Sequence, residues 1–294
     1  MKFSKVTKGL LIGAAFAASS ANADVLSSVE IDISNLEIKL FSDSLGQNQL
    51  QPAVDFDFIG QPIINFNGTS VSTTLNGNLA GEAFVTQVTN PFAPLNIDLD
   101  AMQTSPLSSV NSEATLVGNI FAPGGASGRT ASYTDVGGYQ TGETNSQISN
   151  SLEATFDFTA QQDVWLGLSF DWLFDVLVDI TWSGGIGNAD WAFEIDLIEK
   201  CTGFCAPTTL YSFDLNNDEL FGISSSGSVV DGTYAYNKTG AQDSGLLSLK
   251  GDTSYQLKIV QNANTSGASV SEPMTLGIFA LGLLGVAGYA RRKA

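Results

Sequence analysis

Histidine is missing from all 294 residues, and basic side chains are scarce, with twelve Lys and Arg against thirty Asp and Glu. Without histidine, Ser-His-Asp and Cys-His activation of a nucleophile and the histidine-containing zinc sites are excluded. The few basic residues are also gathered at the ends: Lys2, Lys5 and Lys8 at one, Arg291, Arg292 and Lys293 at the other. Between Asp24 and Val270 only six remain against twenty-nine acids, a net −23. Such a surface repels phosphate backbones and anionic lipid, which excludes nucleic-acid partners. Cysteine occurs twice, at Cys201 and Cys205. Two thiolates without histidine fall short of a four-ligand zinc site. In an oxidising compartment they would close a tight loop as a disulfide, and free or redox-active thiols are the alternative. No long amphipathic helical period is present, and neither Gly124-Gly125 nor Gly184-Gly185 is followed by the Lys-Ser/Thr of a phosphate-binding loop.

What is present begins at the N-terminus. Lys2, Lys5 and Lys8 precede a short apolar run from Leu10 to Ala18 and then Ala21-Asn22-Ala23. That order is a secretory signal peptide spanning residues 1–23, cut after Ala23 to leave Asp24 first, because both Ala21 and Ala23 are small enough for the cleavage site. At the other end, Met274 to Ala290 carries no charge over seventeen residues. This is the lower edge of the roughly 17–25 residues that span a bilayer as a helix. Arg291, Arg292 and Lys293 would then stay in the cytoplasm by the positive-inside rule and leave the body on the far side of the inner membrane. A buried core helix is the competing reading, but it would lack every polar position on its outer face.

The body, residues 24–261, alternates. From Leu166 to Trp182 every even position is apolar, and Asp171, Asp175 and Asp179 fall on the opposite side. This is the period of a strand with one buried face, long enough for two strands or one long bent one. Ile31 to Leu40 repeats the pattern with a phase slip near Ser34-Asn35, and Trp191 to Ile198 repeats it again. Shorter patches at 53–59, 63–66, 71–79, 114–120, 151–158, 210–215 and 255–260 are separated by Asn67-Gly68, Asn76-Gly77, Pro123-Gly124-Gly125 and Ser183-Gly184-Gly185, turn sequences that hairpins favour. The expectation is an all-β body, a β-sandwich of jelly-roll-like form. Gly124 to Asn150, polar and glycine-rich, reads as a long exposed loop between two halves of the sheet system, with a domain boundary there as the alternative. Residues 262–271, small and polar, read as a flexible tether.

The C-terminal 24 residues resemble the PEP-CTERM sorting signal of Gram-negative bacteria. The resemblance rests on Ser271-Glu272-Pro273, Thr275-Leu276-Gly277, the Leu/Gly/Ala run and the closing Arg291-Arg292-Lys293, with Ser271 standing where the motif has its first proline. Lys250 to Ile259 also resembles the last strand that often precedes such tails. The resemblance implies a precursor held in the inner membrane by its tail, residues 272–294, until an exosortase cuts near the motif. It further implies a surface or extracellular-matrix protein associated with exopolysaccharide or biofilm, with the export machinery and the exosortase as partners.

Sites for chemistry in the body are few. Glu194 and Asp196 share a strand face and could be a glycosidase pair, but acids this numerous produce such pairs by chance. Asp214, Asn216, Asn217, Asp218 and Glu219 supply oxygens suited to Ca2+, although Glu219 and Ser225 stand where an EF-hand loop has its Gly and its Glu. A plain Asx-rich turn explains the same residues. Trp172 and Trp182 belong to the buried set, whereas Trp165 and Trp191 could be core or could stack on sugar. The expectation is therefore a non-enzymatic protein needing no cofactor. A carbohydrate-binding sandwich, calcium-dependent in one form, is the alternative, and a glycosidase the remote one.

Overall fold

The computed structural model describes residues 25–50, 63–77, 83–88, 95–105, 108–137, 144–181, 185–201, 206–215, 226–229 and 232–269. The described residues form two antiparallel sheets packed face to face, and they contain no helix. In chain order the strands are β1 (Val25–Phe41), β2 (Gln49–Leu50), β3 (Ile64–Gly77), β4 (Ala83–Val88), β5 (Leu95–Ser105), β6 (Ser108–Gly118) and β7 (Ala126–Val136). They continue as β8 (Thr144–Ala160), β9 (Val164–Ile180), β10 (Gly185–Glu199), β11 (Thr208–Asp214), β12 (Ser226–Val229), β13 (Gly232–Leu249) and β14 (Thr253–Ser269). The first sheet runs β13-β9-β1-β7-β6-β5, with β2 on β1. The second runs β11-β10-β14-β8-β3-β4, with β12 on β10.

The strands are where the sequence alternates, because each sheet has one face in the core and one in water. In β9 the even residues from Val164 to Ile180 are buried and the odd ones are not. It is one uninterrupted strand of 17 residues. The phase slip in β1 is a bulge: its register against β9 shifts between Ser34 and Glu37, and Asn35 takes a φ of 54°. One inserted residue moves Leu36, Ile38 and Leu40 onto the core side that Ile31 and Ile33 already occupy.

The core has two characters. Where β9 faces β10 and β11 it is aromatic: Phe170, Phe193 and Phe213 meet edge to face, with Phe170 and Phe213 at 5.2 Å, while Phe174 lies 4.8 Å from Trp191. Where β7 faces β14 it is small and polar. Thr130 Oγ1 donates to Gln261 Oε1 at 3.1 Å, and Ser132 Oγ to the Ala263 carbonyl at 2.7 Å. Thr134 and Thr265 share a hydroxyl contact of 2.8 Å, and Ser27 Oγ donates to the Ser266 carbonyl at 3.1 Å. These bonds join one sheet to the other, so each satisfies a buried hydroxyl that would otherwise cost about 1–3 kcal/mol. Small side chains are what allow the sheets to meet. At Gly187 of β10 a Cβ would stand 2.5 Å from Val178 and 2.9 Å from the Ser27 hydroxyl.

Three sequence expectations are corrected here. Most of Gly124–Asn150 is not a loop: β7 and the start of β8 occupy it. The inward positions of β7 are Ala126, Gly128, Thr130, Ser132, Thr134 and Val136, whose alternation is of size and not of hydrophobicity. Residues 262–269, expected as tether, continue β14 and pair with both β8 and β10. Asn67-Gly68 is an irregularity within β3, where the register against β8 shifts between Phe66 and Gly68. Strand β13, 18 residues at the edge of the first sheet, has no counterpart in the sequence reading, because an edge strand with one neighbour buries little.

Candidate functional site

The outward face of the first sheet gathers the most chemistry. Its register sets the positions. Glu30 of β1 lies opposite Asp175 of β9 on one side and Ala131 of β7 on the other. Ala131 lies opposite Glu113 of β6, which lies opposite Asp100 of β5. One row across the sheet thus reads Asp175, Glu30, Ala131, Glu113, Asp100. The adjacent row reads Leu173, Asp32, Arg129, Thr115, Asp98. The third, two residues further on the other side, reads Leu177, Ser28, Tyr133, Asn111, Met102.

Arg129 organises the centre. Its Nη1 donates to Glu113 Oε2 at 2.9 Å, its Nη2 meets Glu30 Oε1 at 3.2 Å and its Nε faces Asp32 Oδ1 at 3.5 Å. The methyl of Ala131 leaves room between Glu30 and Glu113 for the guanidinium to reach both. Partial burial works against the guanidinium, but Glu30, Glu113 and Asp32 together raise its pKa above the ordinary arginine value. Three carboxylates around one cation are still one pair and an excess. Burial, then the charge and hydrogen bond of Glu30, lift the Asp32 carboxyl from 3.8 to about 6 against the opposing pull of Arg129.

Two hollows open on this face and share Arg129. One, of about 630 Å³, is bounded by Asp32, Ser34, Asp171, Thr239 and Ala241 among others. The other, of about 330 Å³, has Tyr133, Met102, Asn111, Glu113 and Glu30 around it. Tyr133 is 37% and Met102 67% exposed, which makes them two of five exposed large apolar side chains among the described residues. Burial and the neighbouring Asp135 raise the Tyr133 pKa, so the ring carries a neutral hydroxyl at any physiological pH.

The residues singled out in the sequence fall in several places. Ala21, Ala23 and Asp24, Ser271, Glu272 and Pro273, and Arg291, Arg292 and Lys293 lie outside the described residues, as do Trp182 and Cys205. Cys201 follows β10, and the described residues contain no free cysteine. Trp172 and Trp191 are both in the core, each 4% exposed, whereas Trp165 is half-buried on the outward face of β9. Glu194 and Asp196 share the outward face of β10, and a hydrogen bond that protonated Glu194 donates to Asp196 is the main cause of a raised Glu194 pKa. Asp214 ends β11, and the rest of the Asp214–Glu219 cluster beyond Leu215 lies outside the described residues. Among the described residues no group of three or more acid or cysteine side chains is placed to hold a metal ion.

The sequence reading placed Asp171, Asp175 and Asp179 on the outward face but missed the Arg129 centre and Tyr133, since these depend on β7, which had been taken as loop. A weak signal was there: Arg129 is one of only six basic residues in the body. No family model, no curated protein and no solved structure matches this chain.

Proposed function

We propose that this is an exported surface or extracellular-matrix protein, non-enzymatic, held transiently by its C-terminal tail and released by an exosortase. The reading is carried by the pairing of two end segments in the sequence. Lys2 to Ala23 has the order of a cleavable export signal, and Ser271 to Lys293 has the order of a PEP-CTERM tail, around a body of net −23. Basic residues on the cytoplasmic side of each apolar run give both ends the same topology. The last described strand, β14, ends at Ser269, and the proposed cut site at Ser271-Glu272-Pro273 follows it closely in the sequence. Mass spectrometry of the surface fraction tests this. The expected product begins at Asp24 and lacks the apolar tail, and an intact Ala294 there would refute processing.

The jelly-roll form is part of the same proposal. What supports it is the strand order: starting at β7, the chain visits first, second, first, second, second, first, second sheet through β8, β9, β10, β11, β13 and β14. Strand β1, between β7 and β9, takes the place of an eighth strand that would follow β14, as in a circularly permuted jelly roll.

A second reading, carbohydrate binding by the body, is favoured by one observation. Tyr133 presents its ring beside a hollow lined by Asn111, Ser109, Glu113 and Arg129, hydrogen-bonding groups arranged around an exposed aromatic on a rigid sheet. A polysaccharide pull-down with and without chelator tests it, and the absence of saturable binding would refute it.

A further inference from the structure

The two outward faces differ in how their acids are balanced. On the second sheet, Lys200 meets Asp157 at 2.6 Å and Lys250 meets Glu199 at 3.7 Å, and Lys258 of β14 lies opposite Asp196. On the first sheet, among the described residues, the basic groups pointing outward are Arg129 and Lys39. Arg129 is shared by three carboxylates, and Lys39 is paired with Glu37 at 3.0 Å. The row Asp175, Glu30, Glu113, Asp100 therefore crosses the sheet with a large excess of negative charge, one row away from the exposed Tyr133 and Met102.

We propose that this face docks a glycan chain carrying cationic amino groups, a polymer of N-deacetylated hexosamine units. The inference rests on the carbohydrate-binding reading above and names its ligand class. A pyranose ring offers an apolar C–H face, and the negative face of the Tyr133 ring attracts such hydrogens. Asn111, Ser109 and Ser28 offer hydrogen bonds to hydroxyls on either side of the ring. A chain running across the strands from β9 to β5 passes over acids at intervals set by the strand spacing of about 4.8 Å, a repeat similar to the rise of one sugar in an extended β-linked chain. Ammonium groups on sugars about four units apart would meet Asp175 at one end of the row and Asp100 at the other, because β9 and β5 are separated by about four strand spacings. A uronic or sulfated glycan would be repelled, and a neutral one would desolvate the carboxylates without compensation.

The test uses the full chain and isothermal titration with oligosaccharides of equal length in slightly acidic buffer: fully deacetylated and fully acetylated chito-oligosaccharides, cello-oligosaccharides and alginate fragments, with polylysine as a plain polycation. The deacetylated fragment is expected to bind saturably and at least about tenfold tighter than the acetylated one, a difference of about 1.4 kcal/mol. Tyr133→Ala should weaken it about tenfold. Asp100→Asn with Asp175→Asn should remove the preference for the deacetylated fragment, while Glu153→Gln on the outward face of β8 should leave it unchanged. Equal or tighter binding of acetylated or neutral fragments would overturn the charge assignment and leave the sugar reading standing. No binding of any fragment would overturn both. Polylysine binding as well as the deacetylated fragment, with Tyr133→Ala without effect, would reduce the face to a general attraction for cations and overturn the proposal.

Discussion

Replacing Asp32 by Asn should stabilise the protein at neutral pH and leave it unchanged in acid. In the folded chain the carboxyl titrates at about 6 instead of 3.8, because it is partly buried, lies beside Glu30 and receives only a share of Arg129. A carboxyl that is harder to ionise when folded keeps its proton at pH values where the unfolded chain has released it. The folded form therefore gains from this residue below about pH 4, and the gain is lost as the pH rises through about 6. Moving from 3.8 to about 6 sets a ceiling of ~3 kcal/mol. Since 32% of the side chain stays exposed, screening reduces this to ~1 kcal/mol. An amide has no charge to desolvate. Asp32→Asn should thus gain ~1 kcal/mol over wild type at pH values above 6 and nothing below about pH 4. Urea unfolding across that window, followed by the fluorescence of the buried Trp172 and Trp191, measures both limbs. A variant less stable than wild type at neutral pH, or a difference that does not vary with pH, would show that Asp32 is held mainly by Arg129 and that the reasoning is wrong.

Other perturbations probe the interior. Thr130→Val removes the hydrogen bond to the buried Gln261 Oε1, whose amide nitrogen has no partner among the described residues. It should cost about 1–3 kcal/mol, and Thr130→Val with Gln261→Met should recover most of this, because both polar groups are then gone. A double-mutant cycle in urea decides between coupling and additivity. Gly240→Ala should destabilise by about 1–3 kcal/mol, since its Cβ would lie 2.5 Å from the Trp172 ring, which packs against Phe213 at 6.2 Å. A thermal scan showing no loss would mean that β13 can lift from β9 at little cost. If Cys201 and Cys205 are joined as proposed, iodoacetamide should label neither until a reductant is added, and labelling without reductant would refute the bond.

The alternation of β9, β10 and the first half of β14 and the slip in β1 were legible in the sequence because water imposes a period of two on any strand with one face covered. The roles proposed for the terminal segments rest on their charge and length in the sequence, without any tertiary partner. Alternation failed for β7 and β13. Between Ala126 and Val136 the inward positions of β7 are Gly128, Thr130, Ser132 and Thr134, and the three hydroxyls are satisfied because Gln261, Ala263 and Thr265 stand opposite in the other sheet. β13 is a strand only because β9 is there to pair with it. The site failed for a related reason: Glu30, Asp32, Glu113 and Arg129 come from three strands, and no local pattern announces that they meet. The sequence by itself decided that the body is β and acidic, since burial and charge act residue by residue. Which acids share one arginine, and that Tyr133 faces outward beside them, was decided by strand order and register, which only the folded sheets define.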